Sequence, residues 1–253
     1  MYIYCGNEVL SMKYFLDTTE TMVEGLGFSH FDLLHLTWIA IFIAFTAYMC
    51  IIYRKADEAK RAKLRKIIAA CIVIDEIWKM FWLAVGGNYT FDYLPLHLCS
   101  INIFIIAYHA FIKPNKMLDN FLYGVCIPGA MAALLAPTWV KLPLLNFMHL
   151  HSFTVHILLA AYPIMLVAGN DIQPDIKQVP KCILFTAIMA VPIYFVNVML
   201  DTNFMFMMKA DVGNPLKLFE PLGHHLIGVP IIYAGVVVVL YGPLYLLRKF
   251  KKA

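Results

Sequence analysis

FDLLHLTWIAIFIAFTAYMCIIY, residues 31–53, runs directly into RKADEAKRAKLRK, residues 54–66. The first stretch carries one charged side chain, Asp32, at its very start; the second carries seven basic ones. A helix needs about 20 mostly apolar residues to cross the hydrocarbon core of a bilayer. Buried in lipid, backbone polar groups must pair within the segment, so a long apolar run without period-two alternation reads as a helix. The basic run that follows marks the cytoplasmic end of that helix, because lysine and arginine stay inside.

Six further stretches repeat this reading: Ile67 to Val85, Leu94 to Ile112, Leu118 to Pro137, His149 to Ala168, Cys182 to Leu200, and Leu226 to Leu247. The expectation is an all-α, polytopic membrane protein, one domain over residues 1–253 built as a bundle of seven transmembrane helices. Composition agrees. The 253 residues are 62% apolar and 14% charged, against roughly 45–50% and 25% in soluble domains. That balance excludes a cytosolic enzyme, a nucleic-acid-binding module and a disordered chain; the expected partners are membrane lipids, and no nucleic acid.

Fifteen of the 20 Lys and Arg residues fall in loops on the side reached by residues 54–66 and in the C-terminal tail. The N-terminus is therefore expected outside and the C-terminus in the cytoplasm, in a cell (plasma) membrane. The leader, with Glu8, Asp17, Glu20 and Glu24 against one lysine, is the reverse of a secretory signal. The segment from Asp201 to His225 is long for a connection without structure, which favours an extracytoplasmic lid or re-entrant loop.

The polar exceptions are concentrated. His30, His35, His97, His149, His151, His156, His224 and His225 all fall toward the outer ends of the spans, and only His109 lies near the inner face. At about 1.5 Å per residue, His35, Cys99, His156, Lys79 and Asn197 lie roughly 5–10 Å below the outer boundary. Ionisable groups at that depth face the bundle interior or a watery cavity and are functional candidates. His149, Ser152 and His156 share a helical stripe, Cys99 and Asn102 share a face, and Asn197 and Asp201 are one turn apart. Asp75 and Lys79 are also one turn apart, with Glu76 beside them, and are expected to neutralise one another as a buried charge cluster.

Two readings of Cys99 stand side by side: a small packing residue, or a thiolate nucleophile activated by a histidine from another helix, with help from the N-terminus of its own helix and Pro95 in the first turn. His156 has the matching depth. The histidines read as interfacial anchors, as a metal site, or as catalytic and substrate-positioning groups. No HExxH or comparable ligand spacing is present, so neither a metal nor a cofactor is expected. The six cysteines, Cys5, Cys50, Cys71, Cys99, Cys126 and Cys182, are too dispersed for a disulfide framework. Asp75, Glu76 and Lys79 read either as a structural cluster or as a proton relay.

LPLHLC (94–99), FDLLHL (31–36), HSFTVHILLAAYP (151–163), NVMLDTNFMFMMK (197–209) and NPLKLFEPLG (214–223) together resemble motifs of the YwaF-type bacterial integral membrane proteins. That family is similar in turn to the eukaryotic transmembrane protein 164, a seven-span Cys/His acyltransferase that moves fatty acyl groups between phospholipids. The resemblance implies Cys99 as acyl acceptor and His156 as its base. His35 and Asn197 match family positions; His97, Asn102, Asp201, His149, His224 and His225 are further candidates for oxyanion or substrate positioning. Leu98 stands where the eukaryotic relatives carry proline. The functional expectation is a membrane-embedded acyltransferase working through a cysteine thioester at the extracytoplasmic side. The alternative is a proton-coupled transporter using Asp75, Glu76 and Lys79 with a histidine-lined outer vestibule.

Overall fold

The computed structural model describes residues 12–210 and 214–250, so Cys5 and Glu8 lie outside the described residues. The long helices are α1 (Leu33–Lys55), α2 (Glu58–Val85), α3 (Leu98–Phe111), α4 (Lys116–Leu135), α5 (Phe147–Ala168), α6 (Val179–Leu200) and α7 (Gly228–Phe250). No strand occurs among the described residues. Five of these helices, α1, α4, α5, α6 and α7, are long and apolar enough to cross a membrane. α2 is 28 residues long but interrupted by Asp75, Glu76 and Lys79, and α3 has 14 residues.

Local chemistry sets the ends. Asp32 caps α1 by accepting from the His35 N–H at 2.9 Å, and Asp57 caps α2 through the Lys60 N–H at 2.8 Å. Asn146 caps α5 by accepting from the N–H groups of Met148 and His149. Its amide nitrogen meanwhile donates to the carbonyls of Tyr14 and Asp17, tying the N-terminal segment to that end. Such caps satisfy backbone donors left over at every helix start. α4 is interrupted by a π-helical turn at Leu122–Cys126, all five residues of which are buried.

α5 is the central post. Two-thirds of its apolar window (67%) is buried, against 17% for α1 and 11% for each of α6 and α7. The outer helices instead present Ile43, Ile51, Ile188, Met199, Val238 and Val239 to the surroundings. An apolar surface that wide belongs against lipid rather than water.

The two ends of the bundle are chemically distinct. Where α1, α3, α5 and α7 begin lie all the histidines except His109. The opposite end is clamped by ions: Asp171 after α5 accepts from Arg61 and Arg65 of α2, both at 2.8 Å, and from the Tyr53 hydroxyl of α1. His109 belongs to that end, between Asp119 at 3.0 Å and Tyr162 at 2.9 Å.

Candidate functional site

The segment before α3 turns through Leu94 and Leu96, and His97 is the N-cap residue in an extended conformation. The helix begins at Leu98, later than expected, so Pro95 lies in the preceding turn and Cys99 becomes the second helical residue. The intrahelical ladder starts with Ile101 N–H donating to the His97 carbonyl. The N–H groups of Leu98, Cys99 and Ser100 thus have no acceptor within the helix. Cys99 is half-buried and packs against the main core, which includes Val155 and Leu159 of α5 and Cys126 of α4. Helix α3 itself lies against α5.

His156 occupies the third turn of α5. Its Nδ1–H donates to the Ser152 carbonyl one turn back, at 2.6 Å, which leaves Nε2 as the basic nitrogen. Nε2 makes no hydrogen bond among the described residues. The ring stacks on Trp139, with centroids 5.4 Å apart and planes 12° from parallel. Fixed tautomer, fixed plane and an open lone pair are what a general base needs.

The charged turn of α2 meets α5 beside it. Lys79 Nζ pairs with Glu76 Oε1 at 2.5 Å, not with Asp75 as the sequence suggested. A residue absent from the sequence-derived site explains the difference: His151 of α5 takes Asp75. Its Nδ1 is 3.1 Å from Asp75 Oδ2 and its Nε2 is 3.7 Å from Glu76 Oε2. The 3.1 Å approach is an ion-pair distance without hydrogen-bond alignment, since neither atom has a hydrogen-bond partner. Both His151 and Lys79 are within electrostatic reach of His156.

Other candidates are held by the fold. His35 accepts the Phe31 N–H at Nδ1 (2.8 Å) and donates from Nε2 to the Leu134 carbonyl (2.8 Å), so both ring nitrogens are committed. His149 donates from Nδ1 to the Leu142 carbonyl and accepts the Trp38 indole N–H at 2.9 Å. These rings, with Phe28, Trp38, Phe153 and Trp139, make a continuous aromatic wall that ends on His156. Asn197 folds the chain after α6: its Oδ1 accepts from the Thr202 hydroxyl and the Phe204 N–H, and its Nδ2 donates to the Phe204 carbonyl. Asp201 is exposed at the C-cap in the left-handed region (φ 53°), so it does not share the helical face of Asn197.

The described parts of the Asp201 to His225 segment, residues 201–210 and 214–225, carry 3-10 turns at Phe204–Phe206 and Pro215–Leu222. Met205 and Phe206 both have positive φ, at 58° and 54°. Adjacent left-handed non-glycine residues cost about 1–3 kcal/mol each and persist only where their surroundings hold them. Here the Met205 N–H reaches His97 Nδ1 at 3.4 Å, and His225 Nε2–H donates to the Phe206 carbonyl at 2.8 Å. Phe204 and Phe206 face the His97 ring at 5.3 and 5.6 Å, so this turn sits on the residue that starts the Cys99 helix. His224 caps the following turn through Leu226 N–H and stacks on His225. Among the described residues, no group of three or more His, Cys, Asp or Glu side chains could hold a metal.

The model of the TMEM164 family matches residues 25–241. The chain belongs to the TMEM164 family. The match runs from before α1 into α7, so it takes in Cys99 and His156 but not the N-terminal segment around Tyr14 and Asp17. Neither a curated protein nor a solved structure matches the chain.

Proposed function

We propose that this TMEM164-family protein, of the YwaF-type bacterial branch, is an acyltransferase embedded in the plasma membrane by seven spans, with its N-terminus outside. α2 and α3 then join the five apolar helices as spans. The histidine end faces the extracytoplasmic side, and the Arg61–Arg65–Asp171 end faces the cytoplasm. The gathering of most Lys and Arg residues toward the Arg61–Arg65–Asp171 end supports that orientation, because basic residues stay cytoplasmic.

Cys99 attacks the carbonyl carbon of a lipid ester. His156 Nε2 takes the thiol proton, the sulfur–carbon bond forms, and the ester C–O bond breaks. The departing lipid alkoxide receives the proton from His156. A second lipid hydroxyl then attacks the thioester, gives its proton to His156, and the proton returns to the Cys99 sulfur. The first-turn N–H groups of α3, without acceptors inside the helix, take the role of an oxyanion hole for the negative oxygen that develops on the carbon attacked by Cys99. His35 and His149, with both nitrogens committed, hold the frame around this chemistry.

The observation that carries the reading is the state of His156, with one nitrogen spent on its own helix and the other open, on a helix that α3 contacts and that shares with Cys99 the main apolar core. The test is transfer of a labelled acyl chain between phospholipids in proteoliposomes. Cys99→Ala is expected to stay folded and lose transfer entirely; full transfer by that variant overturns the reading.

A second reading, a proton-coupled carrier, has its own support in the Asp75–His151–Glu76–Lys79 cluster. Charged groups this deep are a recurring feature of proton pathways. Substrate flux that survives Cys99→Ala and fails in Asp75→Asn would favour it over acyl transfer.

A further inference from the structure

The basic run at the start of α2 serves more than one face of the helix. Arg61 and Arg65 turn toward the end of α5, where both bind Asp171, and Arg65 also binds Glu58. Lys60 pairs with Asp57 at 3.5 Å. Lys63 stands two residues from each arginine, which on a helix turns it away from both, and Lys66 follows it at the i+3 position on its own side. Both lysines are exposed, and among the described residues neither ammonium group enters an ion pair or a hydrogen bond. The Asp171 clamp therefore accounts for the arginines and not for these two cations.

Lys63 and Lys66 line an open groove of about 460 Å³ where the start of α2 passes the end of α3. Sites for small molecules and cofactors span about 300–1,000 Å³. The rest of the lining is Ala59, Ala62, Ile67, Ala70 and Phe111, with no acidic side chain. Its polarity changes along its length. Ala59, Ala62 and the two lysines come first on α2; Ile67 and Ala70 follow, with Phe111 at the last residue of α3. From Lys63 to Ala70 is about 10 Å along the helix axis. Alanines keep the groove open where longer side chains would fill it, and Ile67 and Phe111 are exposed beside it. Cations at one end, an apolar trough at the other and no carboxylate between them complement an amphiphilic anion.

We propose that this groove is a binding site for an anionic phospholipid of the cytoplasmic leaflet. The lipid phosphate lies between the Lys63 and Lys66 ammonium groups, and an acyl chain runs past Ile67, Ala70 and Phe111 toward the bilayer. α2 enters the membrane in that same direction, so the polarity of the groove matches that of a lipid in the leaflet beside it. A zwitterionic headgroup brings a cation of its own to the two lysines, which is why the site selects a lipid of net negative charge. Lysines beside a membrane attract anionic lipids in general; the groove adds a fixed seat for one of them. The proposal rests on the placement of α2 and α3 as spans and not on acyl transfer, since Cys99 lies toward the opposite end of the bundle.

Native mass spectrometry of the full-length protein in detergent, titrated with dioleoyl phosphatidylglycerol or dioleoyl phosphatidylcholine, tests the site. Wild type is expected to bind phosphatidylglycerol the more tightly. Lys63→Gln and Lys66→Gln should weaken that binding about fivefold each and about thirtyfold together, with phosphatidylcholine binding unchanged. Lys55→Gln combined with Lys60→Gln removes the same charge outside the groove and should leave the affinity as it was. Ala62→Leu keeps both lysines, fills the groove and should weaken phosphatidylglycerol binding. Equal losses from the two lysine pairs would reveal diffuse attraction and overturn the proposal; so would undiminished binding in Ala62→Leu. The span placement is read separately, from labelling of Ile77→Cys in liposomes by a membrane-impermeant maleimide. Ile77 is exposed on α2, and resistance to the reagent is expected. Free labelling in a folded protein overturns the placement of α2 in the bilayer and this proposal with it, whereas resistance combined with failed lipid selectivity overturns the groove alone.

Discussion

His151 Nδ1 stands 3.1 Å from Asp75 Oδ2, joining the second turn of α5 to the charged turn of α2. The contact changes the meaning of the buried charges. Asp75, Glu76 and Lys79 alone carry two acidic groups and one basic one, and the His151 imidazole lies between the two carboxylates. A buried charge is tolerated when paired and is costly when its partner is removed.

Lys79→Met removes the one fixed cation and leaves two carboxylates on one imidazole. The expected loss is about 3–5 kcal/mol, read as a lower melting temperature in detergent or nanodiscs. Glu76→Gln combined with Lys79→Met deletes the whole pair and should recover most of that loss. A double variant no more stable than the single one would show that the pair does not act as a unit.

His35→Ala is expected to destabilise without changing the chemistry. It strips partners from the Phe31 N–H and the Leu134 carbonyl, at about 1–3 kcal/mol for each group left unpaired inside the protein. Below its lowered melting temperature, the variant should still acylate Cys99 at close to the wild-type rate. Loss of acylation with unchanged stability would instead place His35 at the reacting atoms.

At the other end, Gly169→Ala tests the ionic clamp. A Cβ there would sit 2.6 Å from the Tyr53 ring, whose hydroxyl is bonded to Asp171 and Arg65. The ring cannot shift without disturbing that network, so a destabilisation of about 1–3 kcal/mol is expected by thermal unfolding. A variant as stable as wild type would mean that the Tyr53 ring moves freely.

Hydropathy was sufficient to find six of the seven long helices to within about four residues at each end, because a bilayer leaves an apolar chain few alternatives; α2 instead begins at Glu58, nine residues before the expected Ile67, because its first turns are basic rather than apolar. The gathering of histidines at one end was legible for the same reason: scarce polar residues stand out in apolar helices. Partners across helices were not. His151 is two residues from His149, so a helical wheel turns it away from the His149–His156 stripe; the same rotation brings it to α2, which one helix alone cannot reveal. Lys79 was matched to Asp75 on spacing, although i+3 and i+4 are both open to a helical pair and His151 decided between them. The basic run after α1 served for orientation, yet Arg61 and Arg65 are also committed to Asp171, more than 100 residues away. Asn102 was legible as sharing a face with Cys99, but the burial of its Oδ1 without a hydrogen-bond partner is a property of packing alone.

The mass of the Cys99 peptide after incubation in phospholipid bilayers bears most directly on the chemistry. Wild type is expected to carry a fatty acyl adduct on Cys99 that hydroxylamine removes, and His156→Ala to form it about 10²- to 10⁴-fold more slowly, the usual worth of a general base. No adduct on Cys99 in a folded protein that still moves acyl chains between lipids, or an adduct that forms equally fast without His156, would contradict the assignment.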